Sequence, residues 1–142
     1  GGEESGGYGV PAHLPNKDGV LVAALAAAAE SERPLDARID DLLATHGTIH
    51  QGRVSLDCPG DAKADAMARL ADERPETIAG VAVESRSTVD GVKFVLADGD
   101  WLLVRPSGTE PKLRVYAESD SEPRLDELLA AGQDFVEPLI PE

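Results

Sequence analysis

Two Asp-Gly dipeptides, Asp90-Gly91 and Asp98-Gly99, cut the stretch from Val81 to Glu118 into short segments and thereby dictate an antiparallel sheet. Asp-Gly readily takes the left-handed backbone of a tight hairpin turn, so the segments it separates fold back on each other. Those segments, Val81–Ser87, Val92–Leu96 and residues 101–105, are too short for helices and carry the β-branched and aromatic residues that suit strands. A polar stretch, Arg105-Pro106-Ser107-Gly108-Thr109-Glu110-Pro111-Lys112-Leu113-Arg114, then turns the third strand into a fourth over residues 112–118. With residues 49–56 also extended, the pattern predicts a sheet of four or five antiparallel strands.

Helical spacing occupies the rest. Asp18 can cap a helix over Gly19–Glu32, with Leu21, Ala24, Leu25 and Ala28 on one face. Pro34 interrupts it. A second helix, Leu35–His46, sets Leu35, Ile39, Leu42 and Leu43 on one side and stops at Gly47. A third near residues 61–72 turns Ala66, Met67, Leu70 and Ala71 inward, and a fourth over residues 123–136 does so with Leu125, Leu128, Leu129 and Val136. Two helices laid on one face of the sheet make a two-layer α+β domain over residues 48–142. Residues 35–47 read as a connecting helix, and residues 1–34 as a separate helical piece.

The chain has 142 residues, with 27 acidic against 13 basic side chains and a net charge of −14. No basic stripe exists to meet a nucleic acid or an anionic membrane, so neither is expected as a partner. Cys58 is the single cysteine, which excludes an internal disulfide framework and fits a reducing, cytoplasmic compartment. No apolar run nears the ~18 residues of a membrane span, and no signal-peptide pattern opens the chain. The opening Gly-Gly-Glu-Glu-Ser, without methionine, reads as the start of a loop and predicts a fragment.

The polar stretch is where chemistry concentrates. Arg105 ends one strand and Arg114 lies just inside the next, so a short loop can bring both guanidinium groups to one anion. Ser107 and Thr109 add hydroxyl donors, and the Gly108 and Thr109 amides can face a ligand because Gly108 permits close backbone approach. Such a socket suits a phosphate monoester. The alternative is a hairpin loop with incidental polar residues, on a stand-alone interaction or ligand-binding module with no enzymatic role.

The stretch from Arg105 to Tyr116 resembles the phosphate-binding loop in the last domain of the α-D-phosphohexomutases, the phosphoglucomutase/phosphomannomutase family. Gly1-Gly2-Glu3-Glu4-Ser5-Gly6-Gly7-Tyr8 resembles that family's sugar-recognition loop, and Lys17-Asp18-Gly19-Val20 the start of the helix after it. The resemblance implies that residues 48–142 form a C-terminal domain of TATA-box-binding-protein-like fold. Residues 1–34 would be the tail of a preceding α/β/α domain. It implies phosphate contacts from Arg105, Ser107, Gly108, Thr109 and Arg114, and sugar contacts from Glu3 and Ser5. Some members place a histidine two residues after that serine; Gly7 stands here, which leaves glucose, mannose and glucosamine phosphates open.

The implied reaction interconverts a hexose 1-phosphate and 6-phosphate. A phosphoserine gives its phosphoryl group to the substrate, the resulting bisphosphate turns over, and the other phosphate is returned. A magnesium ion held by three aspartates assists, and the last domain grips the phosphate that is not being transferred. Neither the serine loop nor the three-aspartate loop is present in these residues. The implied partners are therefore the hexose phosphate and the missing N-terminal domains, and the chain alone is expected to be inactive, with no cofactor of its own.

Other features read as structural. Asp98-Gly99-Asp100 resembles the start of the metal loop, but Trp101-Leu102 follows where an aspartate and an arginine would, so a hairpin turn is expected. His46 and His50 have the spacing of a metal pair, but Gly47 breaks the helix between them. His13 is expected in solvent and Cys58 as a small buried residue. Glu110 has the wrong sign for the socket and reads as a structural or domain-contact residue, and Lys112 can point away from it.

Overall fold

The computed structural model describes every residue except 3–5 and 142, and the chain divides into two compact units, Gly1–Gly47 and Thr48–Glu142. In the first, helix α1 (Gly19–Glu32) starts at Asp18, whose Oδ1 accepts from the amides of Val20 and Leu21 at 3.0 Å each. That cap satisfies two amides that have no partner inside the helix. Helix α2 (Leu35–His46) ends at Gly47, which takes a φ of 82°. No residue of either helix is buried, although α1 is almost wholly apolar.

The second unit runs β1 (His50–Asp57), α3 (Lys63–Asp72), β2 (Thr77–Ile78), β3 (Val81–Ser87), β4 (Val92–Leu96), β5 (Trp101–Pro106), β6 (Lys112–Ser119) and α4 (Glu122–Val136). The strands form one antiparallel sheet in the order β1-β6-β5-β4-β3-β2. The sheet thus has six strands, not four or five. The extra one, β2, spans two residues, too few to show a period of two. It is held by the reversal at Ala79-Gly80, where both residues take positive φ.

Strict alternation assigns the faces. On β6, Leu113, Val115, Ala117 and Ser119 are buried while Lys112, Arg114, Tyr116 and Glu118 face the other way. Leu102 and Val104 of β5 and Val92, Phe94 and Leu96 of β4 join the inward set. Helices α3 and α4 cover that face with Ala66, Leu70, Leu125, Leu128 and Val136. Phe135 meets Phe94 edge-on, ring centroids 5.9 Å apart. Gly132 brings α4 against the sheet: a Cβ there would lie 2.6 Å from Leu102 and 2.7 Å from Val115. The domain is therefore two layers, with the helices on one face and the other face open.

The β4–β5 turn is clamped from α4. Arg124 donates to Asp100 at 3.2 Å and to the Ala79 carbonyl at 2.9 Å, and lies 3.5 Å from Asp98. The β3–β4 turn instead presses on the start of the polar loop. Gly91, at a φ of 84°, passes so close to β5 that a Cβ would sit 2.2 Å from the Val104 carbonyl oxygen and 2.8 Å from Arg105 Cβ. Gly91→Ala is expected to cost about 2–4 kcal/mol, combining left-handed strain with backbone overpacking. At Gly60, where a Cβ would meet nothing within 4 Å, alanine should change stability by under ~0.5 kcal/mol. Urea unfolding of the two variants checks this, and equal midpoints would contradict the close approach.

Candidate anion-binding site

The register of β5 and β6 decides the site. Arg105 and Arg114 are direct partners across this pair, and both stand on the face away from the helices. Side chains so placed have Cβ atoms about 4.5–5.5 Å apart, and like charges there repel. Each guanidinium has taken a separate carboxylate. Arg105 Nη1 donates to Asp90 at 2.9 Å, and Arg114 Nη2 donates to Glu110 at 2.6 Å. Arg105 also lies above the Tyr116 ring, 5.8 Å from its centroid.

The loop between them has a defined shape. The Ser107 amide donates to the Lys112 carbonyl at 2.9 Å, and the Lys112 amide donates to the Glu110 carbonyl at 2.8 Å. The Ser107 hydroxyl accepts from the Glu110 amide at 3.2 Å and is buried, a serine turn that braces the loop. Sequence reasoning counted this hydroxyl only as a ligand donor; its oxygen also serves the backbone. Gly108 and Thr109 are exposed at the tip, and a Cβ on Gly108 would meet nothing within 4 Å.

From below, the β1–α3 connection holds the loop. The Cys58 amide donates to the Pro111 carbonyl at 2.9 Å. Lys63 Nζ, on the first residue of α3, donates to the Ser107 carbonyl at 2.7 Å and also to that of Glu110. Cys58 is fully buried, and desolvation pushes its thiol pKa up, so it packs rather than reacts. Lys63 did not stand out in the sequence, and Asp90 did so only as part of a turn, not as a partner for Arg105. The one available signal was a lysine opening a helix, where the macrodipole disfavours a cation.

The remaining candidates lie elsewhere. Glu3 and Ser5 fall outside the described residues. Gly7, Tyr8, Lys17 and Val22 line a groove in the first unit. Lys112 shares the sheet face of Arg114, and its Nζ lies 3.5 Å from Asp57. His13 is exposed, as expected, and its Nε2 lies 3.1 Å from Asp18, the cap of α1. Among the described residues no group of three or more His, Cys, Asp or Glu could hold a metal ion. Asp98 and Asp100, the nearest resemblance to a magnesium loop, turn onto Arg124 and do not fit one. No described helix is long and apolar enough to cross a membrane.

An α+β domain with paired arginines at the root of a braced loop is the class defined so far. Its C-terminal unit matches the family model "Phosphoglucomutase/phosphomannomutase, C-terminal domain" over residues 54–132. Residues 1–46 match "Phosphoglucomutase/phosphomannomutase, alpha/beta/alpha domain III". The chain belongs to the phosphoglucomutase/phosphomannomutase family. It is 34% identical to the phosphopentomutase of Thermococcus kodakarensis, over 73% of this chain and 23% of that protein. It is 38% identical to a "Probable phosphoglucosamine mutase" of Methanopyrus kandleri, over 96% of this chain and 28% of the relative. A phosphoglucomutase/phosphomannomutase of T. kodakarensis is 33% identical, over 96% and 28%. The chain thus spans less than a third of the length of these relatives.

The Arg114 guanidinium holds the Glu110 carboxyl below the ordinary glutamate pKa, chiefly through their hydrogen bond, and Glu110 in turn raises Arg114. Because the folded-state pKa is depressed, the pair stabilises the fold fully above the ordinary value. That contribution fades as pH falls through the lowered one. Carboxyl-carbon NMR should find Glu110 titrating below the usual glutamate range, and returning towards it in Arg114→Gln. An ordinary titration in the unaltered chain would mean that the pair does not form in solution.

Proposed function

We propose that the loop from Arg105 to Arg114 binds the phosphate of a hexose phosphate that is not being transferred. The reaction would be the 1-phosphate/6-phosphate interconversion of a longer mutase. The observation that carries this reading is the cross-strand pairing of Arg105 with Arg114 on one sheet face, beside the exposed amides of Gly108 and Thr109. A phosphate dianion between the two guanidiniums removes their repulsion and can accept from both at once.

Asp90 and Glu110 do not block such a site. Exposed ion pairs like these are worth about 0–1 kcal/mol, whereas a charge-assisted hydrogen bond to phosphate is worth about 1.5–3 kcal/mol. With several such bonds the phosphate wins. Binding at this remote end would align the other phosphate for transfer, a positional contribution rather than covalent chemistry. Because the bisphosphate must turn over, the loop would grip and release once in each cycle.

In the same reading Glu3 and Ser5 contact sugar hydroxyls. The nucleophilic serine and a magnesium ion belong to further domains of a cytoplasmic enzyme. The names of the relatives include pentose, glucosamine and glucose/mannose mutases, which supports a sugar phosphate and leaves the sugar open.

Titrating glucose 6-phosphate or inorganic phosphate into the isotope-labelled chain should move the amides of Ser107, Gly108 and Thr109. Affinity would be weak, in the millimolar range or worse. Arg114→Ala should weaken it about tenfold or more. Lys112→Ala should change it less than about twofold, since that lysine turns to Asp57. Silence at the three loop amides would overturn the reading. Independently, the 142-residue chain alone should not turn over glucose 1-phosphate; a rate above the buffer blank would contradict the assignment of the nucleophile to other domains.

A further inference from the structure

Lys63 belongs to a helix, lies 44 residues from Ser107 in sequence, and yet makes the two contacts that shape the loop from beneath. Its position is electrostatically awkward: a cation on the first residue of α3 opposes the helix dipole. The ammonium is satisfied instead by two loop carbonyls, those of Ser107 and Glu110.

Where those carbonyls point has a consequence for the opposite side of the loop. No peptide bond in the described chain is cis. In a trans peptide the carbonyl and the following N–H point in opposite directions across the plane. Drawing the Ser107 oxygen down to Lys63 therefore turns the Gly108 N–H up and away from α3. Arg105 and Arg114 also stand on the sheet face away from the helices. The Glu110 carbonyl carries no such partner, because Pro111 has no N–H, but pinning it still removes an oxygen that would repel an anion. The Pro111 carbonyl is held below in the same way by the Cys58 amide, at 2.9 Å. Three loop carbonyls are thus tied to the β1–α3 segment, two of them by one side chain.

We propose that Lys63 is a positioning residue for the anion site, which fixes the Ser107–Gly108 peptide so that the Gly108 amide faces the bound phosphate. It need not touch the ligand. This rests on the phosphate-binding reading of the loop, and the two can fail separately.

The test uses the labelled 142-residue chain, unaltered and as Lys63→Met, Lys63→Gln and Lys63→Arg, with inorganic phosphate as the probe. Without phosphate, Lys63→Met should displace the Gly108 amide resonance while the β6 amides stay in place. With phosphate, its dissociation constant should rise about tenfold, the equivalent of one charge-assisted bond. Lys63→Gln, which retains donors, should fall between; if Lys63→Met does not fold, it is judged in its place by the same criteria. Lys63→Arg should restore affinity to within about threefold, a rescue that bulk alone would not give. An unmoved Gly108 resonance with unchanged affinity in Lys63→Met overturns the proposal alone. A folded Lys63→Arg as weak as Lys63→Met does the same. An unaltered chain whose loop amides ignore phosphate overturns the phosphate-binding reading, and this proposal with it.

Discussion

Two arginines facing each other across adjacent strands form an arrangement that a sheet does not adopt for stability. Arg105 and Arg114 are register partners on one face, where like charges raise the energy of the pair. The fold tolerates this through two local carboxylates, Asp90 from the β3–β4 turn and Glu110 from the loop itself. Both carboxylates are substantially exposed, so neither contact has the strength of a buried pair. The outcome is a pair of guanidiniums held by contacts weak enough for a better anion to replace. Everything else in the second unit bears on keeping the two strands, and hence the two guanidiniums, in that register.

That register is secured from both sides. Inward, the alternating partners of the arginines, Val104, Leu113 and Val115, are fully or almost fully buried under α3 and α4. A one-residue slip of β6 would send Arg114 into the core and Leu113 into water, which the period of two makes prohibitive. At the loop end, Gly91 lies against the Val104–Arg105 backbone so closely that no side chain fits. The strand ends are therefore held in place, and the exposed tip of the loop is Gly108 and Thr109.

What could be read in the chain divides along the range of the forces involved. Turns and helix ends are local, and they were legible: Asp90-Gly91, Asp98-Gly99, the Asp18 cap and Gly47 each mark an element boundary found in the structure. The two arginines were legible as a pair because they bracket a short turn. Strand β2 was not, since Thr77–Ile78 is held by its partner and not by a pattern of its own. Lys63 was hidden because its carbonyl partners lie more than forty residues away. Asp90 was hidden in a different way: its dipeptide so plainly signals a turn that its carboxylate went unweighed as a partner for Arg105. Helix α1 shows the limit of periodicity itself. Its alanines and valines lie on the other sides too, so the face of Leu21, Ala24, Leu25 and Ala28 is not set apart, and no residue of the helix is buried.

The acidic body of the protein sets the range over which this site can act. With a net charge of −14, the far field repels a phosphate, so electrostatic steering would not speed its arrival. At physiological ionic strength that repulsion decays over about 8 Å, while the proposed contacts from Arg105, Arg114 and the loop amides would operate within hydrogen-bond distance. Attraction is thus confined to the last few ångströms, where geometry as well as charge decides the outcome. A field of this form favours ligands that match the positions of two guanidiniums and the loop donors together, and gives little to an anion that meets only one of them. In the proposed site the shape of the loop, more than the charge it carries, would then determine what is held.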